Sequence, residues 1–295
     1  MILIVGALWG FHGPAIKFAF TAGFTFPQVV LGEYVVGGLF FGVVVAFQRR
    51  AFPPWNPRSW AKLVLASVVG CGVPLFLFWS YHLGPVSIGA TVFFLYVPLT
   101  QLLNLILTGR PPNRREVISM VLIVAGAAAA NILGQGGLSQ LKGVPYALMA
   151  AFCFACFFAT TARLGRDATP AFQSMFFSVV ACPILYVTSL AAGWPLVPSI
   201  APLKGLLWIL GLGLGGQVIP VFLLVRYAPR TGSGLGSILA SLELPVAVTT
   251  SALLLGDPLG PTQIAGVVLV LVGIALPHVA RSAPPPGMGT ESASA

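Results

Sequence analysis

Apolar runs of about 20 residues, the length a helix needs to cross a bilayer, recur almost end to end along this chain. Ten can be counted, roughly at 1–20, 27–48, 59–82, 85–108, 115–133, 143–164, 169–192, 203–227, 233–256 and 262–281. A membrane barrel reads instead as alternating segments of about ten residues, and these runs are continuous. The expectation is therefore an all-α membrane protein with ten transmembrane helices. Composition agrees: 7% of residues are charged, against about 25% in soluble domains, and the mean hydropathy is +0.97.

The first run is read as a mature helix rather than a signal peptide. It has no basic leading region and no small-residue cleavage site, and His12-Gly13-Pro14 interrupts it. Because the chain begins almost inside that helix, a short upstream segment is expected. The tail 282–295, rich in Pro, Ser and Gly, has nothing to bury and is expected to be disordered.

A net charge of +9 raises the question of a nucleic-acid partner, but the basic residues alternate by loop rather than forming a patch. One side of the membrane receives Arg49, Arg50, Arg58, Lys62, Arg110, Arg114, Arg115, Arg163, Arg166, Arg226, Arg230 and Arg281. The other receives only Lys17, Lys142 and Lys204, a split of 12 to 3 among the 15 Lys and Arg. The positive-inside rule then puts both termini in the cytoplasm, and the expected location is the cytoplasmic (inner) membrane. Basicity reports topology here, and no nucleic acid is expected.

Two motifs invite over-reading. Cys153 and Cys156 form a CxxC, but inside an apolar helix with no neighbouring His or acid they read as small packing residues. No disulfide framework, metal site or cofactor is expected. Gly211 to Gly216 match GxGxxG, yet no strand precedes them, and glycines so spaced let helices approach closely. There is no P-loop.

The halves of the chain echo one another. Val73-Pro74-Leu75-Phe76 recurs as Ile219-Pro220-Val221-Phe222, and Tyr81 as Tyr227, both 146 positions later. Pro98 recurs as Pro245, and Val121-Leu122-Ile123-Val124-Ala125-Gly126 as Val268-Leu269-Val270-Leu271-Val272-Gly273, both at an offset of 147. Each repeat, 1–133 and 143–281, holds five spans. An odd number makes the second enter from the opposite side, so the repeats are inverted. Secondary transporters share that plan, with a midplane substrate site between repeats and alternating access. Pro74, Pro98, Pro220 and Pro245 each remove a helical hydrogen bond, and read either as hinges or as fixed kinks.

These features resemble the drug/metabolite transporter superfamily, specifically ten-span proteins with two EamA-type repeats. The residues carrying the likeness are Trp9-Gly10 with Lys17, Pro98, Glu243-Leu244-Pro245, Gly109, Gly256-Asp257 and the paired VLxxxG runs. Two departures are visible: Arg110 replaces an acid, and Glu33-Tyr34 stands where a basic residue is usual. The resemblance implies that helices one to four and six to nine line a central cavity while five and ten brace it.

Residues in these spans supply candidates. An acid at depth costs roughly 2.5 kcal/mol or more to insert, so Glu33 and Glu243 are expected to face a wet cavity or a partner. Glu243 would bind an amine or exchange a proton, with Arg226, Gln217 or His12 as structural partners. Glu33 is a second coupling candidate, or pairs with Lys17. His12 serves proton exchange or substrate binding, or is a neutral side chain bonded to a carbonyl. Gln101, Asn104 and Thr108 share one helix face, for substrate or for interhelical hydrogen bonds. Trp9, Tyr81, Tyr96 and Phe154 are candidates to stack on a flat or cationic substrate.

The expected function is thus secondary active transport of a small organic metabolite, an amino acid or amine, with export across the membrane and proton coupling or exchange. The partners expected are that solute and the lipid bilayer, with the protein a monomer or homodimer. A membrane-embedded enzyme or simple channel is the alternative. No HExxH or GxSxG motif supports the enzyme.

Overall fold

The computed structural model describes residues 1–48, 56–83, 86–131, 142–164, 168–196, 202–256 and 260–279. Among these residues every regular element is helical. Three helices lead, α1 (Ile2–Thr21), α2 (Phe26–Ala46) and α3 (Pro57–Leu83), followed by a pair in line, α4 (Val86–Phe93) and α5 (Tyr96–Thr108). Next come α6 (Arg114–Asn131), α7 (Val144–Leu164) and α8 (Pro170–Ala191). The eighth apolar run is α9 (Pro202–Leu212), a π-helical stretch Gly213–Val218 and α10 (Ile219–Thr231); the ninth is α11 (Ser233–Ala240) and α12 (Glu243–Leu255); α13 (Pro261–Val279) completes the order. The tail 282–295 and Arg49, Arg50, Arg166 and Arg281 lie outside the described residues.

Among the described residues eight helical stretches are long and apolar enough to cross a membrane, and a ninth, Pro261–Pro277, is apolar but shorter. The other helix, α6, opens with the charged residues Arg114, Arg115 and Glu116. Leu39, Ile106, Val121 and Leu253 stand on the outside, each more than 60% exposed. Apolar surface on this scale needs lipid around it.

Proline chemistry explains where the helices break. Proline has no amide hydrogen, and its ring collides with the carbonyl four residues earlier. For Pro98 that carbonyl belongs to Phe94, and the α4–α5 interruption falls at Phe94-Leu95. For Pro245 it belongs to Ser241, and the α11–α12 interruption falls at Ser241-Leu242. Leu95 (φ −61°, ψ −11°) and Leu242 (φ −57°, ψ −18°) stay right-handed, so each break is a local tightening rather than a turn. Pro220 is the second residue of α10, with Ile219 between it and the π stretch. Pro74, expected to behave like the others, lies inside the continuous helix α3, as Pro14 does in α1.

Small residues let the bundle close. In α7, Ala147, Ala150, Ala151 and Ala155 are fully buried, and the helix packs against α3, α5 and α10. α2 packs on α8, α1 on α12, and α6 on α13. At the α6–α13 crossing Gly126 faces the Gly266 carbonyl and Val270, and Gly273 faces Ile123 and the Ser119 carbonyl, so the repeated VLxxxG glycines form a single contact. Ser119 Oγ donates to the Gly273 carbonyl at 2.6 Å across it. The ends are also paired: α5 and α12 each stop at a left-handed glycine, Gly109 (φ +69°) and Gly256 (φ +71°), a conformation that side chains rarely adopt.

Candidate functional site

The break before α12 makes Glu243 the first residue of a helix, where the partial positive charge of the N-terminus favours a carboxylate. Its lateral position is set by α1. Gly6 lies against the Ala240 carbonyl and the Glu243 amide, and Gly10 against the Glu243 carbonyl and Val246, so α1 rides directly on the broken backbone. That approach turns Trp9 and His12 of α1 and the half-buried Glu243 of α12 toward one void.

The void is a cavity of about 290 Å³ at the centre of the bundle. Three of its walls are single helix faces with spacing of three and four residues. α1 contributes Trp9, His12, Gly13 and Ile16, α2 contributes Val30, Glu33 and Tyr34, and α3 contributes Gly70, Val73, Pro74 and Leu77. The remainder comes from Phe93 of α4, Phe154 and Phe157 of α7, Phe177 of α8, Gly216 and Gln217 of the π stretch, Val221 of α10 and Glu243.

His12 Nε2 lies 2.9 Å from Glu33 Oε1, an ion pair when the imidazole is protonated. The imidazole is seated on Gly216, where a side chain would occupy the space of the ring. Pro220 denies the Gly216 carbonyl its α-helical donor, and Trp9 Nε1 supplies one at 3.0 Å. A π-helical stretch, often found at functional sites, is thus joined to α1 by one hydrogen bond and one ring contact. Gln217 is held in the same stretch by Ser178 Oγ, which accepts from its Nε2 at 3.4 Å.

Aromatic rings run round the wall without a gap. Tyr34 meets Phe177 at 5.4 Å between centroids, Phe177 meets Phe157 at 5.1 Å, and Phe157 meets Phe154 at 6.4 Å. Phe154 then contacts Trp9 at 5.7 Å and Phe93 at 5.4 Å. Such pairs add about 0.5–1.5 kcal/mol each beyond the area they bury.

Trp9, His12, Glu33, Pro74, Phe154, Gln217 and Glu243 are brought together here. Others named from the sequence are not. Tyr96 is fully buried behind Phe154, 4.7 Å away, with its hydroxyl donating to the Ser237 carbonyl at 3.4 Å. Gln101 packs on Gly234, and Asn104 Oδ1 accepts from Ser233 Oγ at 3.3 Å, so the polar stripe of α5 serves the contact with α11. Arg226 stands exposed over Phe222 and Tyr227, beside a different cavity that it shares with Arg230. The side chain of Tyr81 is outside the described residues. Phe93, Phe157 and Phe177 are not among the residues singled out from the sequence, and Tyr34 is noted there only beside Glu33 as a departure from the family pattern, although Phe157 shares a helix face with Phe154.

A lateral groove of about 490 Å³ lies on the other flank of His12, between α1 and α9, lined by Leu8, Phe11, Leu207 and Trp208 with Lys204. It is larger than the central cavity but lacks converging polar groups. Among the described residues no three His, Cys, Asp or Glu side chains converge as metal ligands do.

A family model described as the EamA-like transporter family matches residues 1–132 and again 141–277. A crystal structure described only as that of a protein is similar in fold, with 17% sequence identity, a TM-score of 0.76, and 95% of this chain and 96% of that chain covered. No curated protein matches the chain.

Proposed function

Because this chain belongs to the EamA-like transporter family, a family of membrane transporters, we propose that it is a secondary active exporter of a small organic metabolite, an amino acid or amine, by alternating access. The reading places it in the cytoplasmic membrane with both termini inside. Two inverted five-helix repeats, 1–133 and 143–281, would rock about the central cavity, giving ten spans with α6 and α13 as braces.

One observation carries the reading: two carboxylates and a histidine converge on a central cavity whose walls include helices broken in both halves. Helix pairing supports a two-fold relation between the halves. Exchanging the two halves maps the α1–α12 contact onto α7–α5, and α3–α7 onto α10–α1, and all four contacts are made. Tyr96 and Glu243 hold corresponding positions, each two residues before the proline of its repeat.

Proton coupling is assigned to Glu243, with His12, Glu33 and Tyr34 as the other titratable groups on the cavity. Protonation removes the negative charge on Glu243, so substrate and proton would take turns. The test is counterflow of a labelled panel of amino acids and amines in proteoliposomes, with and without a pH gradient. Wild type should show saturable uptake that responds to the gradient, and Glu243→Gln should lose that response. Uptake that never saturates and never accumulates would indicate a channel, and an unchanged gradient response in Glu243→Gln would remove the coupling role.

A further inference from the structure

We propose that the solute admitted to the central cavity is a small aromatic amine, a protonated ammonium on an apolar body without a carboxylate. This narrows the transporter reading and rests on it for the direction of movement, but not for binding.

The cavity's charges point that way. Among the described residues no lysine or arginine lines it, and its acids are Glu33 and Glu243. His12 is engaged with Glu33 at 2.9 Å. Glu243 makes no ion pair or side-chain hydrogen bond among the described residues, and its half-buried side chain borders the void. An ammonium entering here meets a carboxylate with no ion-paired or hydrogen-bonded partner among the described residues, its electrostatic neighbour His12 being paired with Glu33. A carboxylate entering here meets two acids and no cation that is not already paired, in a setting where water screens little.

The rings point the same way. Trp9, Tyr34, Phe93, Phe154, Phe157 and Phe177 form a continuous wall, and the negative faces of such rings attract cations. They also accept a flat hydrocarbon body. The volume of about 290 Å³ stands at the small end of ligand sites, which run from about 300 to 1,000 Å³. A single-ring amine suits that space, and a polycyclic drug does not.

A pair of solutes differing only in a carboxylate tests this without any mutation. Equilibrium binding of labelled 2-phenylethylamine to purified full-length protein would be measured in nanodiscs, with phenylalanine and 3-phenylpropionate as competitors. The expected result is saturable binding of the amine, displaced about tenfold or more less effectively by either carboxylate-bearing compound. Glu243→Gln should weaken amine binding by about tenfold or more, while Glu243→Asp retains a larger share. Absence of 2-phenylethylamine binding, or displacement by phenylalanine as effective as by the unlabelled amine, overturns the proposal. Counterflow on the same preparation separates the two readings. Amine that binds but is never carried ends the transporter reading and leaves this inference standing; carriage of a carboxylate solute with no amine binding does the reverse.

Discussion

Gly216 is the residue on which the site turns, because two different requirements meet there. Its missing side chain makes room for the His12 ring, and its carbonyl is the acceptor for Trp9 Nε1. A methyl group at this position would lie within the ring, so Gly216→Ala must displace His12 from Glu33. Overpacking of this kind costs about 1–3 kcal/mol. The expected outcome is a lower melting temperature in detergent for Gly216→Ala, largely restored in the Gly216→Ala/His12→Ala double variant, which removes the collision. If the double variant melts no higher than the single, the contact is not what constrains the glycine.

Among the elements, the prolines act by what they take from the helix. Pro220 withdraws the amide that would serve the Gly216 carbonyl, and Trp9 replaces it from another helix. Leaving a buried carbonyl unserved costs about 1–3 kcal/mol. Trp9→Phe should therefore destabilise the protein by about 1–2 kcal/mol, and by clearly less in a Pro220→Ala background, where an amide returns. Chemical unfolding of the four proteins in a double-mutant cycle reads this coupling directly. Equal costs in the two backgrounds would mean that the indole bond and the proline are independent.

At the level of the whole bundle, α6 and α13 stand apart from the cavity and hold each other through Gly126, Gly273 and the Ser119 bond. A side chain at Gly126 meets backbone and side chains of α13, so Gly126→Val should force the pair apart. The prediction is a marked fall in thermal stability with unchanged affinity of the folded fraction for a cavity ligand, checked by melting and by equilibrium binding on the same sample. A loss of affinity without a loss of stability would give this pair a part in the site.

Much of this architecture was readable before any coordinates. Hydrocarbon accepts only continuous apolar segments, so the all-helical class is written in local composition, and paired prolines and glycines at constant offset mark a repeat. Proline marks where a helix can break, because its effect reaches only four residues back; Pro98 and Pro245 break theirs, while Pro74 and Pro14 stay inside continuous helices. The depth of Glu33 and Glu243 marked them for a cavity or a partner, for the same reason that lipid rejects a charge. What the chain could not reveal was partnership across helices. Nothing local distinguishes His12 from Lys17 as the neighbour of Glu33, separates the lining rings from the other phenylalanines, or says that Gln101 and Asn104 turn to α11 while Gln217 turns to the cavity. Those choices depend on how each helix is rotated about its axis, and rotation is decided by the close approaches of glycines such as Gly10 and Gly216 to backbone and rings far away in sequence.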